Sequence, residues 1–589
     1  MEAHSTSDRQ ATTQLDRDER PWLRHYAAGT PATLTYPETT IPDLLRETAR
    51  RHPAHPAVVY YGRSIDYREL DVLSSRFANR LIEHGLQPGD RVLVVLPNVP
   101  QYVIAHFGIL KAGGVVAALS PLLVEREIAL LAEDSGARII VVLDRMWEKV
   151  RPIVERGEVD LAIVTGAQDY LPPVKRLLFP LKYRNDLVRV PHEPERGVVQ
   201  FRRFISGGDA ADPQVARQPA DIAAFQYTGG TTGLPKAAVL THRNLVANML
   251  QCRAWVTEAQ EAGEVILGIM PFFHAYGVSL SLHLGVYLAA TSVLVPRFDL
   301  ADVMRTVEEH RPTLLPGVPT LYSAIIRAAE NNPKRQAALR SIRYCISGGA
   351  PLPLQVQEQF EAVTGGRLVE GYGLSEASPV THANPLDGRA RNGTIGLPLP
   401  DTEARIVDVE TREPVPVGER GELAIRGPQV MQGYWHRPDE TAAVLSADGW
   451  LYTGDVAVMD EDGFFRIVDR LKDVIITAGE NIYPREVEEV LYAHPKVQDA
   501  AVVGVPHPSG GQIAKAYIVV KPGETLDRRE LLAFCNERLA KFKAPRQFEF
   551  RESLPKSATG KVLRRELVAA PEPSSAEAEG GAEPPEEAP

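Results

Sequence analysis

From residue 41 onward, apolar positions recur with two alternating periods. Spacing near 3.6 predicts helices over 41–51, 66–83 and 99–111; short unbroken apolar runs predict strands over 57–61, 91–96, 115–119 and 138–143. Strands alternating with helices of this length predict parallel sheets covered on both faces, since a strand buried on both sides is apolar at consecutive positions. The pattern continues with strands over 222–227, 237–240, 266–270 and 344–347. Beyond Gly393 it changes to short β segments with frequent turns, up to about residue 468, and from 470 to 567 helix and strand alternate again. The expected fold class is α/β. A large N-terminal domain over 41–468 holds two doubly wound subdomains and a small β-rich one over 393–468, and a smaller, mobile α/β domain covers 469–567. Residues 1–40 read as a polar lead-in and 568–589 as a disordered acidic tail.

Two stretches depart from this rhythm. Residues 275–296 carry no Asp, Glu, Lys or Arg over a length that could span a bilayer. Gly277, Gly285, His283 and the β-branched finish at 291–295 instead predict a buried helix turning into a buried strand. Between 174 and 205 the alternation weakens and eight basic residues face three acids, with Leu177, Leu178, Phe179 and Leu181 among them. That segment reads as a solvated connection, or as a weak peripheral footing on anionic membrane.

Composition narrows the class. The chain is 589 residues long, with 44% hydrophobic and 24% charged residues, which fits a multidomain soluble protein. Six glutamates in the last nineteen residues supply over half of the net charge of −11, so nothing argues for a nucleic-acid partner. Cys252, Cys345 and Cys535 lie far apart in apolar surroundings and read as buried thiols of a reducing, cytoplasmic compartment. The polar start carries no signal-peptide pattern.

The candidate chemistry centres on Tyr227-Thr-Gly-Gly-Thr-Thr-Gly-Leu-Pro-Lys236. Gly229, Gly230 and Gly233 permit positive φ and turn N–H groups inward, Thr228, Thr231 and Thr232 add hydroxyls, and Lys236 supplies charge, which together suit phosphates. A P-loop needs lysine directly after glycine and at a helix start, whereas here Leu234-Pro235 intervenes and apolar residues follow. The loop therefore joins two strands, and a helix begins only after Thr241, a candidate N-cap.

Five further motifs accompany it in order: Gly371-Tyr-Gly-Leu-Ser-Glu376, Tyr452-Thr-Gly-Asp455, Asp469-Arg-Leu-Lys-Asp473, Gly479-Glu-Asn481 and Pro555-Lys-Ser-Ala-Thr-Gly-Lys561. On these the chain resembles the adenylate-forming superfamily of acyl-CoA synthetases, adenylation domains and luciferases. Trp22-Leu23, Pro31-Ala-Thr-Leu34, Pro316-Gly-Val-Pro-Thr320 and Val380-Thr-His382 make it similar, within that group, to bacterial long-chain fatty acid–CoA ligases. Ala237 stands where many relatives have glycine.

The resemblance implies ATP, Mg²⁺ and CoA as partners of a fatty acid. Residues 228–233 and Lys236 would hold the outer phosphates, Gly348, Gly349, Ala350, Gly371, Tyr372, Gly373 and Ser375 the adenine side, and Asp455 and Arg470 the ribose. Glu376, with Thr228, would ligate Mg²⁺. His274, in Pro271-Phe-Phe-His-Ala-Tyr-Gly277, would stand at the carboxylate, with Val278, Val318 and Gly348 along the acyl pocket; a lone His among aromatics is otherwise a packed core residue. Lys561 would bridge carboxylate and α-phosphate. Asp469 would be the hinge about which the last domain turns, bringing Lys472, Ala478, Gly479, Glu480 and Asn481 to CoA. An aryl or medium-chain ligase, a ligase loading a carrier protein and a nucleotide-binding protein without turnover stay open, although no insertion of the kind that marks carrier-loading relatives follows Asp469.

Overall fold

The computed structural model describes residues 20–182, 188, 190–228, 235–477, 480–506, 512–557 and 562–569. Two compact units divide the chain, one running through Leu471 and one beginning at Lys472. In the first, helix α1 (Ile41–Arg51) leads into the hairpin of β1 (Pro56–Tyr60) and β2 (Arg63–Asp66) and then α2 (Tyr67–Glu83). There follow β3 (Arg91–Val95), α3 (Pro100–Lys111), β4 (Val115–Ala118), α4 (Glu125–Ser135), β5 (Ile139–Leu143), β6 (Leu161–Thr165) and β7 (Val198–Gln200). With β8 (Ile222–Thr228) and β9 (Lys236–Thr241) they form a seven-stranded sheet in the order β7-β6-β5-β3-β4-β8-β9. Every pairing is parallel except β8 with β9. Residues 92–95 and 139–142 are buried throughout, as an unbroken apolar run in a doubly covered strand requires.

A second sheet gathers residues far apart in sequence. After α5 (His242–Trp255), strands β10 (Val265–Gly268) and β11 (Thr291–Leu294) pair in parallel, and β11 pairs with β1, giving the order β10-β11-β1-β2. Leu314 bridges β10 to β12 (Tyr344–Ser347), which runs parallel to β13 (Arg367–Gly373); β14 (Val380–Ala383) and β15 (Leu397–Pro398) complete this part antiparallel. Four antiparallel strands follow: β16 (Glu403–Val407), β17 (Gly421–Arg426), β18 (Leu451–Met459) and β19 (Phe465–Arg470).

The second unit contains the hairpin β20 (Ile475–Thr477) and β21 (Glu480–Ile482). Its main sheet is β22 (Val497–Pro506), β23 (Gln512–Val520) and β24 (Gln547–Phe550). The mixed α/β class with a large first part and a smaller last part agrees with the sequence pattern.

The uncharged stretch is a buried helix, Ala275–Gly277, Val278–His283 and Leu284–Tyr287, that hands over to β11. Its middle turn is π-helical, a local widening often found near functional sites. No helix among the described residues is long and apolar enough to cross a membrane. Residues 174–205 are less of a plain connection than their charge suggests. Helix Pro173–Lys182 opens the segment, β7 adds an edge strand, and Phe201, Phe204 and Ile205 are buried. The sequence pattern also missed α4, whose buried apolar residues are Ile128, Leu131 and Ala132.

Candidate active site

Strands β8 and β9 set the two ends of the phosphate-type loop side by side, with Thr228 opposite Lys236. Gly229, Gly230, Thr231, Thr232 and Gly233 lie outside the described residues. Thr241 ends β9 and caps α5, its hydroxyl accepting the Asn244 N–H at 3.1 Å. On its free side β9 is flanked by residues 432–435: the Val239 N–H donates to Gly433 O (2.9 Å) and the Trp435 N–H to Ala237 O (2.9 Å). This extra edge brings Tyr434 beside Lys236, whose ammonium stands 5.3 Å from the ring centre and pairs with Glu440. The Tyr434 hydroxyl donates to Glu376 Oε1 at 2.8 Å, and the Met431 N–H donates to the Glu376 carbonyl at 2.8 Å. Burial, reinforced by the nearby carboxylates, pushes the Tyr434 phenol well up, so it stays a donor. Lys236, Tyr434 and Glu376 are thus one connected cluster. Glu376 Oε2 makes no hydrogen bond to a described side chain. A single carboxylate oxygen next to a phosphate-type loop suits Mg²⁺, which commonly takes one or two carboxylates and completes its shell with phosphates and water.

A second cluster forms where β13, β18 and β19 meet. Asp455 on β18 lies opposite Arg470 on β19, and its Oδ1 is 3.1 Å from Arg470 Nε. Its Oδ2 accepts the Tyr372 hydroxyl at 2.6 Å. Each carboxylate oxygen has a second lone pair, so Asp455 retains capacity for two further donors. Gly454, at φ +72°, turns the chain into Asp455, and its N–H donates to Glu422 Oε1 at 2.8 Å. Glu422 is 6% exposed, and burial raises its carboxyl above the ordinary range. Gly373 is a close-approach glycine: a Cβ there would meet the Pro379 carbonyl oxygen at 2.2 Å. Ser375 begins the short turn Ser375–Ala377 that presents Glu376.

The third region surrounds His274, which caps the buried helix by accepting the Tyr276 N–H on Nδ1 at 3.3 Å. Its approach is clamped at successive residues. Asn98 donates to Gly268 O (2.9 Å) and Met270 O (2.8 Å) and accepts the Phe272 N–H (2.9 Å). Tyr102 donates to Phe272 O at 2.6 Å and Gln226 to Phe273 O at 3.0 Å. Val278 lines an interior cavity with Ala275, Phe272 and Gln226; His274, Val318 and Gly348 are not among its lining residues. Gly348 instead faces the Tyr276 ring, and Gly349, at φ +77°, faces Val318; Ala350 follows them, and Gly371 lies on β13 against Ile346. The Tyr276 hydroxyl donates to Ile346 O at 2.6 Å, tying this corner together.

Residues 45–435 match the AMP-binding enzyme family, and residues 486–561 match the C-terminal domain of AMP-binding enzymes. The chain belongs to the AMP-binding enzyme family. It is similar to a long-chain-fatty-acid–CoA ligase of Bacillus subtilis (strain 168), 43% identical over 94% of this chain and 98% of the relative. A ligase of the same name from Salmonella typhimurium is 40% identical over 93% of this chain and 98% of the relative. Among solved structures, ATP-bound MatB from Rhodopseudomonas palustris is 28% identical, with a TM-score of 0.79 over 90% of this chain and 98% of that one.

In the second unit of this AMP-binding enzyme, Lys561, Ala478 and Gly479 lie outside the described residues. Lys472 opens the unit in the turn Leu471–Asp473, and Asn481 on β21 pairs with Ile476 on β20, next to Glu480. Lys556 and Val562, either side of Lys561, form a β-bridge, and Arg564 pairs with Asp473 (2.9 Å) and Glu488 (2.7 Å). Asp469 lies on β19, one residue before its end, buried at 4% exposure with Oδ1 accepting the Arg470 N–H at 2.8 Å. Sequence reasoning did not single out Tyr434, Glu422, Asn98, Tyr102 or Gln226. A hidden hydrogen bond leaves no mark on hydrophobic period or charge.

Proposed function

We propose that this AMP-binding enzyme activates a fatty acid with ATP and passes the acyl group to CoA. One carboxylate oxygen attacks the α-phosphorus, the bond to pyrophosphate breaks, and an acyl-adenylate forms. The CoA thiol then gives up its proton, its sulfur attacks the acyl carbon, and AMP leaves. No protein nucleophile is required, so positioning and electrostatics carry the rate. The observation that carries this reading is the similarity, over 98% of its length, to a long-chain-fatty-acid–CoA ligase.

The site geometry supports roles for individual residues. Lys236 exchanges its contact with Glu440 for the outer phosphates. Asp455, steered by Tyr372 and Arg470, accepts ribose hydroxyls. His274 stands at the carboxylate. Glu376, oriented by Tyr434, would hold Mg²⁺, which when bound neutralises phosphate charge. Lys561 acts in the first half-reaction, and a turn about Asp469 exchanges it for the loop around 478–481 in the second. Asp469→Pro fixes φ near −65° and is expected to slow thioester formation more than adenylation; equal loss in both steps contradicts the hinge.

The buried, unpaired Cys252, Cys345 and Cys535 fit a cytoplasmic, reducing setting. Peripheral membrane contact is supported by helix Pro173–Lys182, where Leu177 and Leu181 are 77% and 80% exposed beside Lys175 and Arg176. A charge-reversed helix that still partitions onto anionic vesicles removes that part of the reading. The whole is tested by AMP release with CoA across acids from acetate to icosanoate. Highest kcat/KM with long chains supports the proposal, and no acid-dependent AMP with any of them refutes it.

A further inference from the structure

The interior cavity that Val278 lines also carries two histidines. His106 on α3 and His283 on the π-helical turn are 3% and 1% exposed, and their Nε2 atoms are 2.9 Å apart. Both line the cavity, whose remaining walls are mostly apolar. Burial, with the mutual repulsion of the two rings for His106, holds both imidazoles far below their ordinary pKa, so the pair is neutral.

Neutrality fixes the protons. A hydrogen bond between two Nε2 atoms needs one Nε2–H and one Nε2 lone pair. The donor ring must then carry a bare Nδ1, and the acceptor ring must carry Nδ1–H. One free acceptor and one free donor are therefore left, whichever ring is which. Neither Nδ1 has a hydrogen-bond partner among the described residues. The other polar groups lining the cavity are satisfied: Tyr102 donates to Phe272 O, Gln226 to Phe273 O and Ser279 to Ser378 O. An orphaned donor and acceptor in an otherwise satisfied apolar slot is the arrangement expected of a site that reads a polar group on a ligand.

Resting on the fatty acid–CoA ligase reading above, we infer that the His106–His283 pair is a specificity element that selects acyl chains bearing a hydroxyl far from the carboxylate. A hydroxyl both donates and accepts, so it answers either Nδ1; a methylene answers neither. Ala275, which follows His274, and His283, more than two turns on along the same buried helix, both line the cavity, which places the recognised group away from the carboxylate end of the chain. The cavity has a volume of about 20 Å³, room for roughly one water, so a chain that reaches the two rings must part its walls. A plain alkyl chain filling it would displace any water and leave both nitrogens dry.

The test compares octadecanoic acid with its monohydroxy isomers, the hydroxyl moved from mid-chain to the terminus, by kcat/KM for AMP release. In the unaltered enzyme one isomer should exceed the plain acid by roughly tenfold or more, the scale of one buried unsatisfied group. In the His106→Leu/His283→Leu enzyme, which removes both partners together, that preference should vanish or invert while the melting temperature confirms folding. The inference is overturned if the unaltered enzyme treats all isomers like the plain acid, or if the preference survives in the double variant. No AMP from any acid removes the ligase reading itself; AMP from plain and hydroxylated acids at equal rates removes only this inference.

Discussion

Removing the Glu422 carboxylate tests whether the Asp455 cluster is held from beneath. Glu422 is 6% exposed, and its Oε1 accepts the Gly454 N–H at 2.8 Å. Gly454, at φ +72°, delivers Asp455 to Tyr372 and Arg470. Glu422→Ala leaves that part-buried N–H without its acceptor, a cost within the range of about 1–3 kcal/mol and toward its lower end. Because the orphaned group is adjacent to Asp455, the loss should fall on nucleotide binding, raising KM for ATP between about fivefold and about 150-fold, nearer the former. Glu422→Gln keeps an acceptor oxygen and removes the charge that burial disfavours, so its KM for ATP should stay within about twofold. The signs for stability follow from the raised carboxyl pKa. The folded protein binds this proton more tightly than the unfolded chain, so stability is lost as pH rises through the folded pKa. Glu422→Gln should therefore melt higher than the parent at neutral pH, and the gap should close as pH falls below the ordinary 4.5. Initial rates of AMP release against ATP, with thermal melts across pH, measure both. An unchanged KM in Glu422→Ala, or equal impairment in Glu422→Gln, refutes the reasoning.

Other outcomes follow from the same geometry. Tyr434→Phe keeps the ring beside Lys236 but removes the donor to Glu376, so the Mg²⁺ needed for half-maximal rate should rise about 10- to 100-fold; an unshifted Mg²⁺ titration contradicts the oriented carboxylate. Burial holds His242, His283 and His382 at about 3 and His106 well below 6.5. Below pH 6.5 the unfolded chain takes up protons that these rings refuse, so each should remove about 1.4 kcal/mol of stability per pH unit. Denaturant melts from pH 7 to pH 5 should show the decline, and His106→Leu/His283→Leu should flatten it; a flat parent profile contradicts their neutrality.

Much of the fold was legible because its strands are buried on both faces. The runs at 92–95 and 139–142 have no polar alternation to confuse them, and α1 carries its own stop and start signals. What the pattern could not convey is which strands meet. β1 precedes the first sheet in sequence yet pairs with β11 from over two hundred residues later, because pairing depends on tertiary packing and leaves no local period. α4 escaped because its apolar run, residues 128–132, is short, unbroken and enclosed by charges, and β7 because three residues are too short for a period.

The site divides along the same line. Charged and glycine-rich groups such as Lys236, Glu376, Asp455 and Arg470 stand out in sequence, and the structure brings them into two clusters. The residues that hold them are neutral or buried. Asn98 uses both amide protons and its carbonyl on the backbone leading to His274, which no spacing rule could reveal. Glu422 carries no motif in the sequence, and its hydrogen bond from the Gly454 N–H and its burial belong to the tertiary structure.

The central claim is that the acid is activated as an acyl-adenylate before CoA takes part. The measurement that tests it most directly is exchange of labelled pyrophosphate into ATP without CoA. The account predicts that label enters ATP only when a fatty acid is present, and that Lys561→Ala abolishes the exchange. Exchange that needs CoA, exchange that proceeds without the acid, or formation of ADP in place of AMP would contradict it.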